Sequence, residues 1–282
     1  MSYYIGTSGY NYPEWRGTFY PEKFPTAKML AFYAERFNTV EINSTFYGQP
    51  RAAVSLGWVR RTPAEKTPKV TAPRLAPVRP GDLQDDPAPE FRRGVRYDGV
   101  RYSRASADGL DLGGTDFAEC EFTGVSFNET QLRGATFRDC ILAETYAPVL
   151  MAARTSLRDV EIGNPRWGSA ELYESGWQSV RIDGGKLDYV NLRGSKLTDV
   201  QISDCIINEL DLGSCTATRV ALKNCTIGTL DFTGARLKDF DLRGTDFRSV
   251  SGLGSLSGLV VDDHQLTLLA PLLAAHLGVV VA

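Results

Sequence analysis

Residues 190–204 read VNLRGSKLTDVQISD, with a large apolar residue at every fifth place and a small or apolar residue two places before it. The pattern extends in both directions. Positions whose numbers end in 2 or 7 are all apolar from Leu112 to Phe247, and most positions ending in 0 or 5 are small. A period of five matches neither a helix nor a strand. The sequence therefore predicts a solenoid over residues 95–250, in which each short unit buries its apolar face by stacking on its neighbours.

Two pentads, 190–194 (VNLRG) and 235–239 (ARLKD), resemble the A-(D/N)-L-x-x motif of the pentapeptide-repeat family. The resemblance covers about 31 consecutive repeats. It implies an all-β fold, a right-handed quadrilateral β-helix of nearly eight coils with four repeats per coil. Residues 143–156 keep the phase but lose the composition, so a loop or bulge is expected there. Pro165 and Gly185 also depart from the motif.

The first 50 residues lack the five-residue repeat and have the pattern of an ordinary globular sequence. An apolar run at residues 3–5, a helical spacing from Met29 to Phe37 and a strand-like stretch at residues 39–43 predict a short α/β fragment of β–α–β order. Residues 4–17 (YIGTSGYNYPEWRG) and 40–47 (VEINSTFY) resemble the opening of the DUF72 family, which is similar to a TIM barrel, and a fainter likeness reaches about residue 74.

A complete barrel needs about 250 residues and eight strands, and only two or three strands are expected here. In a complete barrel, Glu41 and Asn43 would be candidate site residues near the end of a strand. Without the other strands they have no site to complete. The fragment is therefore interpreted as a remnant without activity, or as an N-terminal cap of the solenoid.

Residues 50–94 hold eight of the 14 prolines of the chain. Because proline lacks a backbone donor, such a stretch suits neither a helix nor a sheet interior. The predicted organisation is a truncated barrel-like fragment at 1–50, a Pro-rich linker or degraded continuation at 51–94, the β-helix at 95–250, and a C-terminal segment at 251–282.

The C-terminal segment predicts a helix over residues 263–278, which begins at Asp263 and ends at Gly278, with a kink or restart at Pro271. A solenoid end exposes apolar core and unpaired strand edges, so this helix is expected to cap the β-helix or to form a homodimer contact. The candidate residues for that role are Leu266, Leu269, Leu272, Leu273 and Leu277.

No catalytic, cofactor-binding or metal-binding residue is predicted. All five cysteines have numbers ending in 0 or 5, so they are expected to be buried as small core residues rather than to hold zinc. Trp167 and Trp177 fall at the large inward position. His264 and His276 have no evident catalytic partner. The recurring aspartates, such as Asp211, Asp231, Asp241 and Asp246, fit turn positions.

Charge separates the two parts of the chain. Residues 1–94 carry 13 Lys and Arg against 9 Asp and Glu, whereas residues 95–282 carry 18 against 25. A mildly acidic repeat region argues against direct, unspecific binding of nucleic acid. The start of the chain does not resemble a signal peptide, and no run of about 18 apolar residues predicts a membrane span. The expected compartment is the cytoplasm.

These patterns favour a non-enzymatic protein-binding or scaffold module with an unknown protein partner. The family resemblance implies one alternative, since some pentapeptide-repeat proteins mimic DNA, bind DNA gyrase and protect it from quinolones. A clustered acidic stripe on one face would favour that alternative. A second alternative is a remnant of a barrel-type enzyme in the N-terminal part.

Overall fold

A computed structural model of the chain describes residues 6–8, 13–36, 39–41 and 70–279. These residues belong to two compact units, Met1–Lys69 and Val70–Ala282. Within the described ranges, no helix has the length and apolar character needed to cross a membrane.

The first unit contains strand β1 (Gly6–Ser8), helix α1 (Thr26–Ala34) and strand β2 (Thr39–Glu41). A 3-10 turn at Pro13–Trp15 precedes the helix. Strands β1 and β2 pair in parallel, which confirms the β–α–β order. An aromatic cluster fills the core of this fragment, where Tyr20, Met29 and Tyr33 are buried.

The second unit begins with an extended segment and continues as a helix of stacked coils, each 20 residues long. The strand register shows this length directly, because Leu157 pairs with Trp177, Trp177 with Leu197, and Leu197 with Ala217. Four pentads therefore make one coil, and the right-handed quadrilateral β-helix has about nine turns. The predicted fold class is confirmed.

All strands of this unit pair in parallel, with neighbouring coils stacked strand on strand. The strands are β3 (Gln84–Asp85), β4 (Arg96–Asp98), β5 (Val100–Ser103), β6 (Asp116–Ala118), β7 (Glu121–Thr123), β8 (Thr130–Gln131), β9 (Thr136–Ala143), β10 (Tyr146–Met151), β11 (Ser156–Gly163), β12 (Arg166–Glu171), β13 (Gly176–Asp183), β14 (Lys186–Asn191), β15 (Lys196–Ser203), β16 (Ile206–Asp211), β17 (Thr216–Lys223), β18 (Thr226–Asp231), β19 (Arg236–Asp241), β20 (Asp246–Ser251) and β21 (Leu259–Val260).

Two sheets cover the sides of the β-helix. The seven-stranded sheet has the order β20-β18-β16-β14-β12-β10-β8. The twelve-stranded sheet has the order β21-β19-β17-β15-β13-β11-β9-β7-β5-β3, with β6 beside β9 and β4 beside β6. The inward residues of both sheets form one continuous core along the axis. In its first coils this core is an aromatic stack, in which Phe117 lies 5.3 Å from Tyr97 and 5.0 Å from Phe137 between ring centres.

The two departures at Pro165 and Gly185 are stacked on each other, 20 residues apart. Gly185 has φ +99°, and a Cβ placed on it would lie 2.5 Å from the carbonyl oxygen and 2.7 Å from Cδ of Pro165. The glycine is needed because the proline ring of the preceding coil occupies the space that a side chain would take.

Separate elements cover the two ends of the β-helix. At the first coil, β3 pairs with β5, and Phe91 packs against Tyr102 with ring centres 4.9 Å apart. At the last coil, helix α2 (Asp263–His276) begins with a capping box between Asp262 and Gln265.

Residues 70–94 belong to the stretch that the sequence suggests is a linker. They lie against the β-helix, and residues 70–81 run in extended conformation along it. The remainder of the predicted linker, residues 51–69, lies outside the described residues. The exact domain bounds stay a prediction.

Candidate protein-binding surface

Strand β10 differs from the other strands of the seven-stranded sheet in what it presents to solvent. Tyr146 is 52% exposed, Val149 36% and Met151 43%. Pro148 lies between them and is also exposed. The inward side chains of the same strand, Ala147 and Leu150, are buried. The four outward residues Tyr146, Pro148, Val149 and Met151 are called the β10 patch below.

Polar residues surround the β10 patch on the neighbouring coils. Tyr146 faces Ser126 on one side and Arg166 on the other. Met151 faces Gln131 and Glu171 in the same way. An apolar centre with a polar rim is the usual composition of a protein-contact surface.

The loop or bulge expected at residues 143–156 is wrong, because β10 pairs in register with β8 and β12. Proline within a sheet normally interrupts the ladder, since it lacks an N–H group. Here the pairing continues beside Pro148, because the N–H of Glu129 donates to the carbonyl oxygen of Val149 (2.7 Å) and the N–H of Val149 donates to Oδ1 of Asn128 (3.2 Å). On the other side, a Cβ on Gly168 would clash with the carbonyl oxygen of Pro148, so the glycine allows the next coil to approach.

Behind the β10 patch the core is incompletely filled. A cavity of about 30 Å³ lies inside the coils, and the residues that line it are almost all apolar. The lining includes Ala152, Thr155, Trp167 and Trp177. The small residue Ala152, where the neighbouring coils carry Leu132 and Leu172, leaves this space. The lost composition at 143–156 therefore has two consequences, an apolar outer surface and a partly empty interior.

Several outward charges along the β-helix are paired between adjacent coils. The ion pairs between arginine and carboxylate side chains of adjacent coils include Arg138–Asp116, Arg154–Glu174, Arg181–Glu161, Arg193–Asp211 and Arg219–Asp199. Burial, together with the carboxylates of Asp211 and Glu171, raises the pKa of Tyr189 on the seven-stranded sheet. On these faces acidic and basic groups alternate rather than forming one acidic stripe.

One corner of the β-helix is predominantly acidic. Its residues are Glu119, Asp139, Asp159, Ser179, Asp199, Arg219 and Asp239, one from each coil. Burial and the nearby carboxylates of Asp159 and Glu119 raise the pKa of Asp139. In contrast, the Arg219 guanidinium holds the pKa of Asp199 below its ordinary value against the effect of burial.

The predicted leucines of the C-terminal helix are divided between the interface with the last coil and solvent. Leu269 is buried and Leu273 half-buried, whereas Leu266, Leu272 and Leu277 are exposed. Their roles in capping or dimer formation stay predictions.

Sequence reasoning missed the main capping residue. Gln265 is 2% exposed, and its Nε2 donates hydrogen bonds to the carbonyl oxygens of Leu242 (2.6 Å) and Thr245 (2.7 Å). These carbonyls end the last coil and would otherwise lack a partner from a further coil. The signal was present in the sequence, because Asp262 and Gln265 have the spacing of a capping box.

The other residues considered as chemical candidates occupy structural positions. All five cysteines are free and buried, and Trp167 and Trp177 are core residues. Asp211 and Asp231 accept hydrogen bonds from the backbone N–H two residues ahead, both at 2.8 Å, as expected of turn residues. His264 and His276 are exposed on α2.

A metal-binding cluster of His, Cys, Asp or Glu is absent from the described part of the chain. Of the two barrel-type candidates, Glu41 ends β2, and Asn43 lies outside the described residues.

Comparison with family models agrees with both resemblances. The pentapeptide-repeat model matches residues 103–142 in eight copies, and the model for the protein of unknown function DUF72 matches residues 4–75. Because the 20-residue register continues from this stretch to β20, the second unit is a pentapeptide-repeat β-helix fused to a DUF72-like N-terminal segment.

Solved structures with similarity include full-length QnrB1, a plasmid-mediated fluoroquinolone resistance protein. It is 17% identical over 70% of this chain and 95% of that chain, with a TM-score of 0.26. Another is HetL, a pentapeptide-repeat protein involved in heterocyst differentiation regulation in the cyanobacterium Nostoc. It is 16% identical over 61% of this chain and 91% of that chain, with a TM-score of 0.23. No curated protein sequence matches the chain.

Proposed function

We propose that this chain, whose second unit is a pentapeptide-repeat β-helix, is a non-enzymatic protein-binding module that contacts its partner through the β10 patch. The main support is the exposure of Tyr146, Val149 and Met151 side by side on one strand. Neighbouring strands of the same sheet carry mostly polar residues at these places.

The support is physical as well as compositional. Exposed apolar side chains that lie together cost free energy in water and regain it when a partner covers them. Tyrosine and methionine are enriched in protein interfaces, and the sheet beneath them holds the side chains in fixed positions. A flat rim with Arg166, Gln131 and Glu171 offers polar groups that can select among partners.

The test is to give β10 the outward residues that β16 has. β16 carries Glu209 and Asp211 where β10 carries Val149 and Met151, so the variant is Val149→Glu/Met151→Asp. Its matched control is Ile206→Thr, since Ile206 occupies the place equivalent to Tyr146 on β16, is 49% exposed, and lies outside the patch.

The full chain and both variants would be used as baits in a lysate of the encoding organism, with bound proteins quantified by mass spectrometry. We expect at least one protein to bind wild type and Ile206→Thr equally and to fall about tenfold or more with Val149→Glu/Met151→Asp. If every bound protein is retained by the patch variant, the β10 patch is not the contact surface.

Binding to DNA gyrase is the second candidate, and the acidic corner favours it through Asp139 and Asp159, which are not among the side chains that bind residues 70–81. A supercoiling assay with purified gyrase, with and without a fluoroquinolone, tests it. Inhibition or drug protection at micromolar protein would favour this candidate, and no effect at ten times that concentration would remove it.

A further inference from the structure

Residues 70–81, here called the strap, bind along the acidic corner of the β-helix through their backbone. Four N–H groups of the strap donate hydrogen bonds to corner side chains. Thr71 donates to Asp239 (3.3 Å), Arg74 to Asp199 (2.8 Å), Ala76 to Ser179 (3.0 Å) and Gly81 to Glu119 (3.3 Å). The chain thus runs along the axis from the coil of Asp239 to the coil of Glu119.

The spacing of these contacts follows from two repeat lengths. Six coils separate Glu119 from Asp239, and at about 4.8 Å per coil they span roughly 29 Å. Ten residues separate Thr71 from Gly81, and at about 3.1 Å per residue an extended chain spans roughly 31 Å. The length of an extended strap therefore matches the distance that the stacked coils span. Pro73, Pro77 and Pro80, which have no N–H, fall between the donors.

The corner side chains occur at places whose backbone conformation glycine adopts with less strain than other residues. All seven corner residues, from Glu119 to Asp239, have φ between 49° and 56°, in the left-handed region. None of these seven is glycine, whereas Gly99, at the same corner one coil before Glu119, has φ +67°. At the equivalent places of another corner, Gly114, Gly134, Gly194 and Gly234 alternate with Arg154, Glu174 and Ser214 in the same conformation. The retention of side chains at all seven places from Glu119 to Asp239 has a direct reason at the four places whose side chains bind the strap.

Charge and burial agree with this contact. The strap contains Arg74 and Arg79 and no acidic residue, whereas five of the seven corner residues are carboxylates. Ser179 and Asp199 are each only 8% exposed beside the strap. Asp199 is further held by Arg219, with Nε of the arginine 2.6 Å from Oδ1. The acceptor that receives the N–H of Arg74 is thus fixed in position from both sides.

We propose that the acidic corner is a binding site for an extended, proline-spaced, basic peptide, and that the strap is its resident ligand. A peptide supplied in trans can take the same place when the strap is released. This corner is a different surface from the β10 patch, and either proposal stands without the other.

The experiment opens the site in the full chain and offers the missing ligand as a peptide. Arg74→Pro/Ala76→Pro removes two donated N–H groups while keeping an extended backbone. The matched control is Ala72→Pro, because Ala72 is exposed and its N–H is not among the donors to the corner. The probe is a fluorescent synthetic peptide of residues 70–82, and binding is measured by anisotropy.

We expect the probe to bind the opened chain at least tenfold more tightly than wild type or Ala72→Pro, in which the strap competes. Adding Ser179→Gly/Asp199→Gly to the opened chain should lower binding tenfold or more. Glycine suits the left-handed backbone, and Ser214→Gly at another corner serves as the control for it. Equal binding to all chains, or no binding to the opened chain, would overturn the proposal.

A second measurement on the wild-type chain does not depend on any variant folding. In residue-resolved hydrogen exchange, the amides of Thr71, Arg74, Ala76 and Gly81 should exchange at least tenfold more slowly than the amide of Ala72. Exchange of all five at the same rate would show that the corner does not hold the strap, and the proposal would fail.

Discussion

Strands β10 and β16 occupy equivalent places in the seven-stranded sheet and bury the same positions, but they differ in the residues at those positions and in the residues on their outer side. β10 buries Ala147 and Leu150 and exposes Tyr146, Val149 and Met151. β16 buries Ile207 and Leu210 and exposes Ile206, Asn208 and Glu209, while its outward Asp211 is buried beneath Arg193. Both strands keep the 20-residue register. The register therefore depends on the phase of the inward residues, while their size and the outward residues are free to change.

The acidic corner shows the same contrast between the two regions. Near β10, Asp139 has the like charges of Asp159 and Glu119 for neighbours. Near β16, Asp199 is paired with Arg219. The two regions thus differ at the corner in whether a cation lies beside the aspartate. They differ inside as well, since the cavity lies behind β10.

The largest expected effect comes from giving β16 the interior of β10. Ile207 is 1% exposed, and Ile207→Ala leaves a cavity that the stacked coils cannot close without shifting strands. We expect the free energy of unfolding to fall by about 3 kcal/mol. Urea unfolding followed by far-UV circular dichroism measures it. The matched control is Ile206→Ala on the outer side of the same strand, which should change stability by less than about 0.5 kcal/mol.

The reverse change, filling the interior behind β10, should have a smaller effect of opposite sign. Ala152 lines the cavity of about 30 Å³, so Ala152→Val adds methyl groups where space exists. We expect a gain of about 0.5–1 kcal/mol in the free energy of unfolding, since residual cavity volume costs about 24 cal/mol per Å³. Destabilisation instead would mean that the valine does not fit and that the interior near β10 is as closely packed as that near β16.

The sequence predicted the inward residues of the β-helix and missed the significance of its outward residues. The inward positions from Leu112 to Phe247, the buried cysteines and the two core tryptophans were predictable, because stacking repeats one local rule in every coil. β10 was missed because its outward residues lack the usual polar composition, although the phase that determines the fold is intact. Outward composition is where sequence reasoning is weakest, and it is also where the candidate site lies.

The strap was missed for a different physical reason. Its prolines fit no helix or sheet, and local reasoning therefore interprets it as a linker. Its hydrogen bonds go to side chains 38 to 168 residues away along the sequence. Nothing in a local pattern marks a backbone N–H for a distant carboxylate. The absence of glycine from the seven corner places between Glu119 and Asp239 could have raised the question, but only once the corners were known.

The smallest expected effect is a pH dependence that distinguishes two aspartates of the corner, Asp139 and Asp199. Because burial and like charges raise the pKa of Asp139, its ionised form opposes folding at pH 7. That destabilisation is present above the folded-state pKa and disappears below the unfolded value. Because Arg219 lowers the pKa of Asp199, its ionised form stabilises the fold above the unfolded pKa, and this is lost as the pH falls through the folded value.

We therefore expect two Asp→Asn substitutions, which keep the shape of the side chain, to change the free energy of unfolding in opposite directions. Asp139→Asn should raise the free energy of unfolding at pH 7 by a few tenths of a kcal/mol, since this exposed group is screened by solvent. Asp199→Asn should lower it by about 1 kcal/mol, because a buried hydrogen-bonded charge is lost. Asparagine tolerates the left-handed backbone at both places, so the conformation is controlled. Urea unfolding at pH 7, 5 and 3.5 should show both differences shrinking toward low pH. The same sign for both variants at pH 7 would mean that the corner is uniform from β10 to β16 and that the charge contrast between the two regions is wrong.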